Sequence, residues 1–553
     1  MTPEQLSSAL VAALTRLVDD GRLTLPDGVP STVLVERPKV REHGDYATNI
    51  ALQLAKRAGV NPRDLAQQLA EEIVTDDGVA SAEVAGPGFL NLRVSAGAQG
   101  ALAGQVVTAG DSYGRSDVNA GQKVNLEFIS ANPTGPLHLG HTRWAAVGDA
   151  MARVIEATGA EVTREFYVND RGNQMDVFGA SLMARAHGEE PPDDGYHGAY
   201  VADLAAKVVA EVPGVLDQPA DEQLVTFRET GYRLQLAEQQ AELDELRTHF
   251  DVWFSERSLH DSDSVEHGFD RLREQGRLFE ADGATWMRTT DFGDDKDRVL
   301  VRSNGELTYF ASDTAYYVNK RERGFDPCIY LLGADHHGYV GRLSAMAACV
   351  GDTPGEQLEV LIGQLVKILQ DGEELKLSKR AGTIVSLREL IDLIGVDPLR
   401  YTLIRYPVDS PLTLDVADMT SKSNDNPVYY VQYAHARLAS ILRNAADLGI
   451  TVDGSYDASQ LSTEREGDLL RALAELPRVV ARAAELREPH RVARYLEDTA
   501  STFHKFYDTC RVLPQGDEDV TDLHRARLVL VAATRQVLAN GLGLLGVSAP
   551  ERM

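Results

Sequence analysis

Apolar positions along the chain recur with two different periods, and the change from one to the other divides it. Leu6, Leu10, Leu14 and Leu17 share one helical face behind Thr2, Pro3 and Gln5, a combination that caps and opens a helix. Asn61-Pro62 opens another helix in the same way, and residues 33–35 and 89–94 have the short apolar runs of strands. Residues 1–115 therefore predict a small α+β domain. Val124, Leu126, Phe128 and Ile129 then form an apolar run bounded by turn residues, as a buried parallel strand does. Residues 132–136 break it, and 138–159 read as a helix rich in Ala, Val and Met. Strand patterns at 165–168 and 328–332 alternate with helical stretches, so residues 116–400 predict an α/β, doubly wound, Rossmann-like parallel sheet. A long, acidic, helical insertion at about 183–285 separates its halves. From Asp397-Pro398 onward the pattern is helical throughout, with helices expected at 397–406, 427–447, 464–486, 490–511 and 521–540. Residues 401–553 thus predict an all-α bundle.

Candidate chemistry sits where the first buried strand turns into its helix. His138 and His141 are three apart and share a face of the first helical turn. Unpaired N–H groups and the positive end of the helix dipole favour a phosphate there. Gly140 between them lets a flat ring lie against the backbone. Far downstream, Leu375-Lys-Leu-Ser-Lys-Arg-Ala-Gly-Thr383 sets Lys376 and Lys379 around Ser378 in a cationic loop. Lysine ammonium groups suit a polyphosphate whose leaving group is gaining charge. Each motif is weak alone; the pair implies nucleotide chemistry.

Charge and composition narrow the class. The 553 residues allow several domains. Cys328, Cys349 and Cys510 are too scattered for a disulfide framework or a zinc site. No run of about 18 apolar residues occurs, and the start lacks the basic and apolar regions of a signal peptide. A cytoplasmic protein without a membrane anchor is expected, with any metal carried by a bound nucleotide. The net charge of −29 is uneven: −4 over residues 1–115, −4 over 401–553 and −21 between them. That balance disfavours indiscriminate nucleic-acid binding, DNA included, but leaves room for a shaped RNA site at either end.

Taken together the motifs resemble class I aminoacyl-tRNA synthetases. His138-Leu-Gly-His141 matches the first signature of that class, and Lys376-Leu-Ser-Lys379-Arg380 the second. Ala131-Asn-Pro-Thr-Gly-Pro-Leu-His is similar to the arginyl-tRNA synthetase family in particular. Gly86-Pro-Gly-Phe-Leu-Asn91, Tyr196-His-Gly-Ala-Tyr-Val, Phe250-Asp-Val-Trp-Phe-Ser-Glu256, Tyr309-Phe-Ala-Ser-Asp313 and Gly333-Ala-Asp-His-His-Gly338 agree in order. Asn426-Pro-Val-Tyr-Tyr-Val-Gln-Tyr-Ala-His-Ala-Arg437 and the terminal Pro-Glu-Arg-Met553 complete the set. The resemblance implies ATP and L-arginine as substrates, Mg²⁺ carried with ATP, no protein-held metal, tRNA(Arg) as partner and a monomeric enzyme. It implies nucleotide contacts for His138, Gly140, His141, Asp335, Lys376, Ser378 and Lys379, with both histidines and both lysines in the catalytic role.

Arginine presents a planar cation that only carboxylates can select, ideally in bidentate fashion. By resemblance, Tyr309 and Asp313 border the guanidinium and Glu256 supplies a second acid. Glu127 and Asn132 match positions that hold the α-amino group, Ser130 is a further arginine-binding position, and His336 stands where other members often carry Gln. Phe89 and Asn91 match positions that read a tRNA loop base, while Tyr430, Gln432, His435 and Arg437 lie on the helix of an anticodon-binding domain. The family generally requires tRNA before it activates the amino acid; this chain keeps both lysines of the second signature, which many relatives lack. Synthetases for glutamate, glutamine or cysteine share both signatures. Scattered cysteines disfavour the last, and the paired acids disfavour an acidic substrate. A small-molecule nucleotidyltransferase has no use for the helical end, and a non-catalytic RNA-binding relative would not keep His138, His141 and Lys379 together.

Overall fold

The computed structural model describes residues 1–38, 40–374, 385–452 and 455–553. At its centre five parallel strands pair: Lys123–Phe128, Glu161–Val168, Val252–Ser255, Cys328–Gly333 and Leu358–Gly363. The first lies in the middle, with the second and third on one side and the fourth and fifth on the other. The winding therefore reverses between the first and fourth strands, and in open α/β sheets ligands collect beyond the carboxyl ends at that point. Val124, Leu126 and Phe128 are buried because both faces of the sheet are covered. Helix Leu139–Glu156 packs so closely that a Cβ at Gly148 would sit 2.4 Å from the Phe128 ring.

Where the chain departs from its expected organisation, short elements are the cause. Strand Val252–Ser255 belongs to the central sheet although it falls inside the stretch expected to be inserted; four partly buried residues carry no readable period. The inserted group consists of helices Asn173–Ala186, Ala199–Glu211 and Ala220–Glu245, with a core of its own around Phe178, Leu182, Val201 and Phe227. A three-stranded antiparallel sheet, Leu278–Ala281, Ala284–Met287 and Arg298–Val301, precedes the fourth central strand. The end of the chain is not wholly helical: Leu412–Asp415 pairs in parallel with Val366–Gln370. Pro477 divides the expected 464–486 helix into Glu464–Ala474 and Leu476–Leu486. Pro427–Asp447, His490–Thr509 and Asp522–Leu544 follow the expected helices closely.

The amino end carries its own core around Leu6, Leu10, Leu14, Tyr46, Leu65, Leu90 and Leu92. Thr2 and Gln5 form the expected capping box, and Phe89–Val94 is a strand, paired to Tyr46–Thr48 and Val79–Ala85. Residues 33–35 form no strand; only Glu36 bridges to Ala47. Helix Ala96–Ala109 meets this domain at its start, where Ala98 packs against the amino-terminal core and its carbonyl accepts from the Met1 amino group at 2.7 Å, but runs on elsewhere. Its Leu102, Ala103 and Val106 join the large core shared by the central sheet and the helical end. The Tyr456 hydroxyl donates to Gly100 O at 2.7 Å and accepts from Gly104 N at 2.9 Å. The packing boundary thus falls near Ser95 rather than 115. Asp45 pairs with Arg471 at 2.7 Å, and Arg478 donates to Val35 O at 2.9 Å, tying the amino end to the helical end.

Arg400, fully buried, joins three further pieces. Its guanidinium donates to Asp149 on the His138 helix at 2.5 Å, to Leu246 O after the insertion at 2.8 Å, and to Leu545 O at the end of the last helix at 2.9 Å. A buried ion loses its hydration and depends on such partners. Among the described residues no helix is long and apolar enough to cross a membrane. Asp149→Asn should cost about 3–5 kcal/mol by leaving the guanidinium uncompensated. Its denaturant midpoint would fall clearly below wild type; an unchanged midpoint would show that the pair holds nothing together.

Candidate active site

The site begins where the first strand ends. Past Phe128 the backbone turns left-handed, with φ of 70° at Ile129 and 46° at Ser130. A β-branched residue rarely adopts that conformation, so its neighbours must hold it. Ser130 Oγ donates to Glu127 Oε1 at 2.9 Å and accepts from Tyr167 N at 3.1 Å. The other Glu127 oxygen accepts from Lys320 Nζ at 2.5 Å. Lys320 is wholly buried, its ammonium 4.3 Å and 3.9 Å from the ring centres of Tyr316 and Tyr330. Asn132, exposed in the turn, accepts a hydrogen bond from Asn169 at 3.1 Å.

The turn delivers the chain to His138, which caps helix Leu139–Glu156. Its Nδ1 accepts from Gly140 N at 3.2 Å, while His141 Nδ1 accepts from His138 N at 3.3 Å. The two rings stack 3.8 Å apart. With both Nδ1 atoms accepting, each neutral imidazole carries its proton on Nε2 and donates from there. A Cβ at Gly140 would sit 3.1 Å from the His138 ring and would crowd this stack. Lys376, Ser378 and Lys379 lie outside the described residues. The segment that follows is anchored beside the histidines: Ser386 bridges to His138, Leu387 N donates to Leu137 O at 2.8 Å, and Ser386 caps helix Leu387–Ile394.

Three carboxylates face one another at the carboxyl edge. Glu256 opens the short helix after the third strand and is 5% exposed; burial pushes its carboxyl up, against the nearby Arg171 charge. Asp313, partly buried, accepts from the Tyr339 hydroxyl. Lost hydration, with repulsion from Glu127 and Glu256, pushes its carboxyl up to about 7 despite that hydrogen bond. The Tyr167 hydroxyl lies near Glu256. Burial, then the charges of Glu256, Asp313 and Glu127, push it above the ordinary phenol range. One phenol thus feels all three acids, and among the described residues only Glu127 has a lysine partner in contact.

Other expected residues stand apart from this cluster. Tyr309 begins helix Tyr309–Glu322 and is 81% exposed, whereas Asp313, one turn on, is drawn inward. Asp335 and His336 lie 3.5 Å apart in the exposed turn after the fourth strand. Sequence reading missed Tyr167, Lys320 and Tyr339. Tyr167 sits within a strand whose pattern was visible; nothing in the sequence around Lys320 marks a buried ammonium. Among the described residues no group of three or more His, Cys, Asp or Glu is placed to hold a metal ion.

The two ends divide their expected RNA contacts. Phe89 is 42% exposed at the start of its strand, and Asn91 is partly buried between Ala47 and Glu83. Gln432 and His435 do not face outward as expected. Gln432 donates to Asp397 at 2.8 Å and to Ser548 O at 2.9 Å, and His435 bonds Pro550 O at 2.9 Å. Both are buried because they bind the carboxyl-terminal tail, so they correct the expectation of tRNA contact. Tyr430 packs against His504 at 5.1 Å, and Arg437 lies over Tyr433 and Tyr507 at 4.8 Å and 5.2 Å.

Comparison with known families and structures matches this organisation along the chain. Residues 4–94 match the arginyl tRNA synthetase N terminal domain, 104–396 the catalytic domain of class I (R) tRNA synthetases, and 431–553 the DALR anticodon binding domain. An arginine–tRNA ligase of Kineococcus radiotolerans is 58% identical over 554 residues, covering all of both chains, and one of Frankia alni is 56% identical over the same span. The fold is that of the Thermus thermophilus arginyl-tRNA synthetase, with a TM-score of 0.75 over the full length of both chains at 24% identity. The chain belongs to the arginine–tRNA ligase family of class I aminoacyl-tRNA synthetases.

Proposed function

We propose that this chain joins L-arginine to tRNA(Arg) in two transfers at one site, with the named residues in the following roles. The arginine carboxylate attacks the α-phosphorus of ATP, forming arginyl-adenylate and releasing pyrophosphate. The terminal ribose hydroxyl of the tRNA then takes the arginyl group and AMP leaves. No covalent enzyme intermediate is needed; catalysis is alignment plus stabilisation of charge on phosphorus. Mg²⁺ arrives with ATP as part of that substrate.

His138 and His141 donate from Nε2 to the phosphates at the helix start, with Gly140 beneath the nucleotide. Asp335 and Ser378 border the nucleotide, and Lys376 and Lys379 follow the departing pyrophosphate. Asn132, Ser130 and Glu127 hold the amino-acid end. Glu256 and Asp313 pair with the guanidinium, and Tyr309 and His336 cover the pocket mouth. The observation that carries this reading is the group of three acids around the Tyr167 hydroxyl, beside a histidine-capped helix. Such a pocket favours a long cation, and lysine or a neutral analogue leaves its charges unpaired, so no editing site is needed.

At the amino end, exposed Phe89 with Asn91 offers a stacking and hydrogen-bonding pair for an unpaired tRNA loop base. At the helical end, Arg437 with the Tyr433 and Tyr507 rings and nearby Tyr430 forms a basic aromatic surface suited to anticodon bases. The enzyme acts as a cytoplasmic monomer on this reading.

Pyrophosphate exchange with each amino acid, with and without total tRNA, tests the substrate directly: exchange should occur with arginine, and exchange with another amino acid instead would sink the reading. Lys379→Ala should slow activation by about 10²-fold with little change in arginine affinity; weak arginine binding at full turnover would reassign the lysine. The Asp313 carboxyl must ionise to meet the guanidinium, so kcat/KM for arginine should rise with pH through about 7 and then level off. Asp313→Asn should remove that limb and raise KM for arginine by about 10²-fold or more. The wild-type native state keeps a proton that an unfolded chain releases near the ordinary 3.8, so its stability falls between there and about 7. Unfolding measured across that range should show a shallower fall for Asp313→Asn.

A further inference from the structure

The segment Tyr196-His-Gly-Ala-Tyr200 and the long helix behind it take no part in the two transfers, yet both reach the turn before His138. Tyr200, on helix Ala199–Glu211, donates its hydroxyl to Thr134 O at 3.2 Å. Gln239, fully buried on helix Ala220–Glu245, donates its side-chain amide to Asn132 O at 3.1 Å and to Gly135 O at 2.8 Å. Three carbonyls within residues 132–135 therefore take hydrogen bonds from the insertion. The turn has a physical need for them. Pro133 and Pro136 bring no N–H, and Ile129 and Ser130 lead in at positive φ. Such backbone persists when surrounding groups over-determine it.

The same long helix grips the other side of the site. Glu245 pairs with Arg388 on helix Leu387–Ile394, whose first residue donates its N–H to Leu137 O. One element thus contacts the turn that leads to His138 and the segment that returns beside it.

We propose that Gln239 and Tyr200 are positioning residues for adenylate formation. They fix the turn between Asn132 and His138, and so set how the amino acid lies against the nucleotide. The inference rests on the reading above, in which Asn132 serves the amino acid and His138 the phosphates. Neither side chain touches a reacting atom. The acidic insertion is a brace on the catalytic turn.

The test uses the full chain with tRNA present, varying arginine and ATP in turn. Gln239→Leu should lower kcat for arginine-dependent pyrophosphate exchange by about 10²-fold, the cost of a misalignment of about an ångström. Tyr200→Phe, which keeps the ring and removes one oxygen, should lower it by about tenfold. The affinity for tRNA should stay within about twofold in both, a separation that general loss of structure would not give. The double variant should lose little beyond Gln239→Leu, because both act on one turn. A folded Gln239→Leu with wild-type kcat, losses that multiply in the double variant, or a loss confined to tRNA affinity would each overturn the proposal. If Gln239→Leu fails to fold, Tyr200→Phe decides the matter through its own kcat. If the wild type exchanges an amino acid other than arginine, the substrate reading falls and the same kcat comparison is made with that amino acid.

Discussion

A buried cation lies behind the acidic pocket, and the site's charge balance depends on it. Glu127, Glu256 and Asp313 converge at the carboxyl edge of one sheet, where three negative charges out of water repel one another strongly. Lys320 answers the first of them at 2.5 Å from a helix that also carries Asp313. Its ammonium, wedged between the Tyr316 and Tyr330 rings, gives Glu127 a charged partner at a depth where an unpaired carboxylate would cost several kcal/mol. Glu256 lies near the Arg171 charge and 4.0 Å from His260, while lost hydration, with repulsion from Glu127 and Glu256, raises the Asp313 carboxyl. On the proposed reading, an arginine guanidinium adds a cation beside Glu256 and Asp313.

Specificity and alignment come from different parts of the molecule. The acids sit on the third strand's exit and on helix Tyr309–Glu322, both attached to the sheet. The histidines sit on a helix start whose geometry depends on a strained turn. Sheet-borne groups are placed by the parallel register itself, in which Glu127 lies opposite Glu165 on one side and Tyr330 on the other. The turn has no register to place it. That difference fits the hydrogen bonds that the inserted helices give to the turn carbonyls at residues 132, 134 and 135.

Much of this was legible before any coordinates. The first strand, its turn and the histidine helix carry a change of period, two prolines and two glycines within some twenty residues, so each boundary has a chemical marker. Long amphipathic helices such as Pro427–Asp447 follow their pattern to within a residue or so. The strand Val252–Ser255 was hidden by its length, and Leu412–Asp415 by the helices around it. Lys320 was hidden for another reason: a lysine on a helix reads as solvent-facing unless its partner, 193 residues away, is already known. Gln432 and His435 were misplaced because a polar residue reads the same whether it meets RNA or the chain's own tail. Pattern reports what is local and periodic; partnership across the fold is neither.

Helix Ala96–Ala109 has a consequence for how the two ends behave. It follows the amino-terminal domain directly in sequence but is built into the core of the helical end, while Asp45 and Arg478 add ties across the same seam. The two ends are therefore joined by packing as well as by the run of the chain, and neither can be displaced without opening the core that Leu102, Ala103 and Val106 share with the helical end.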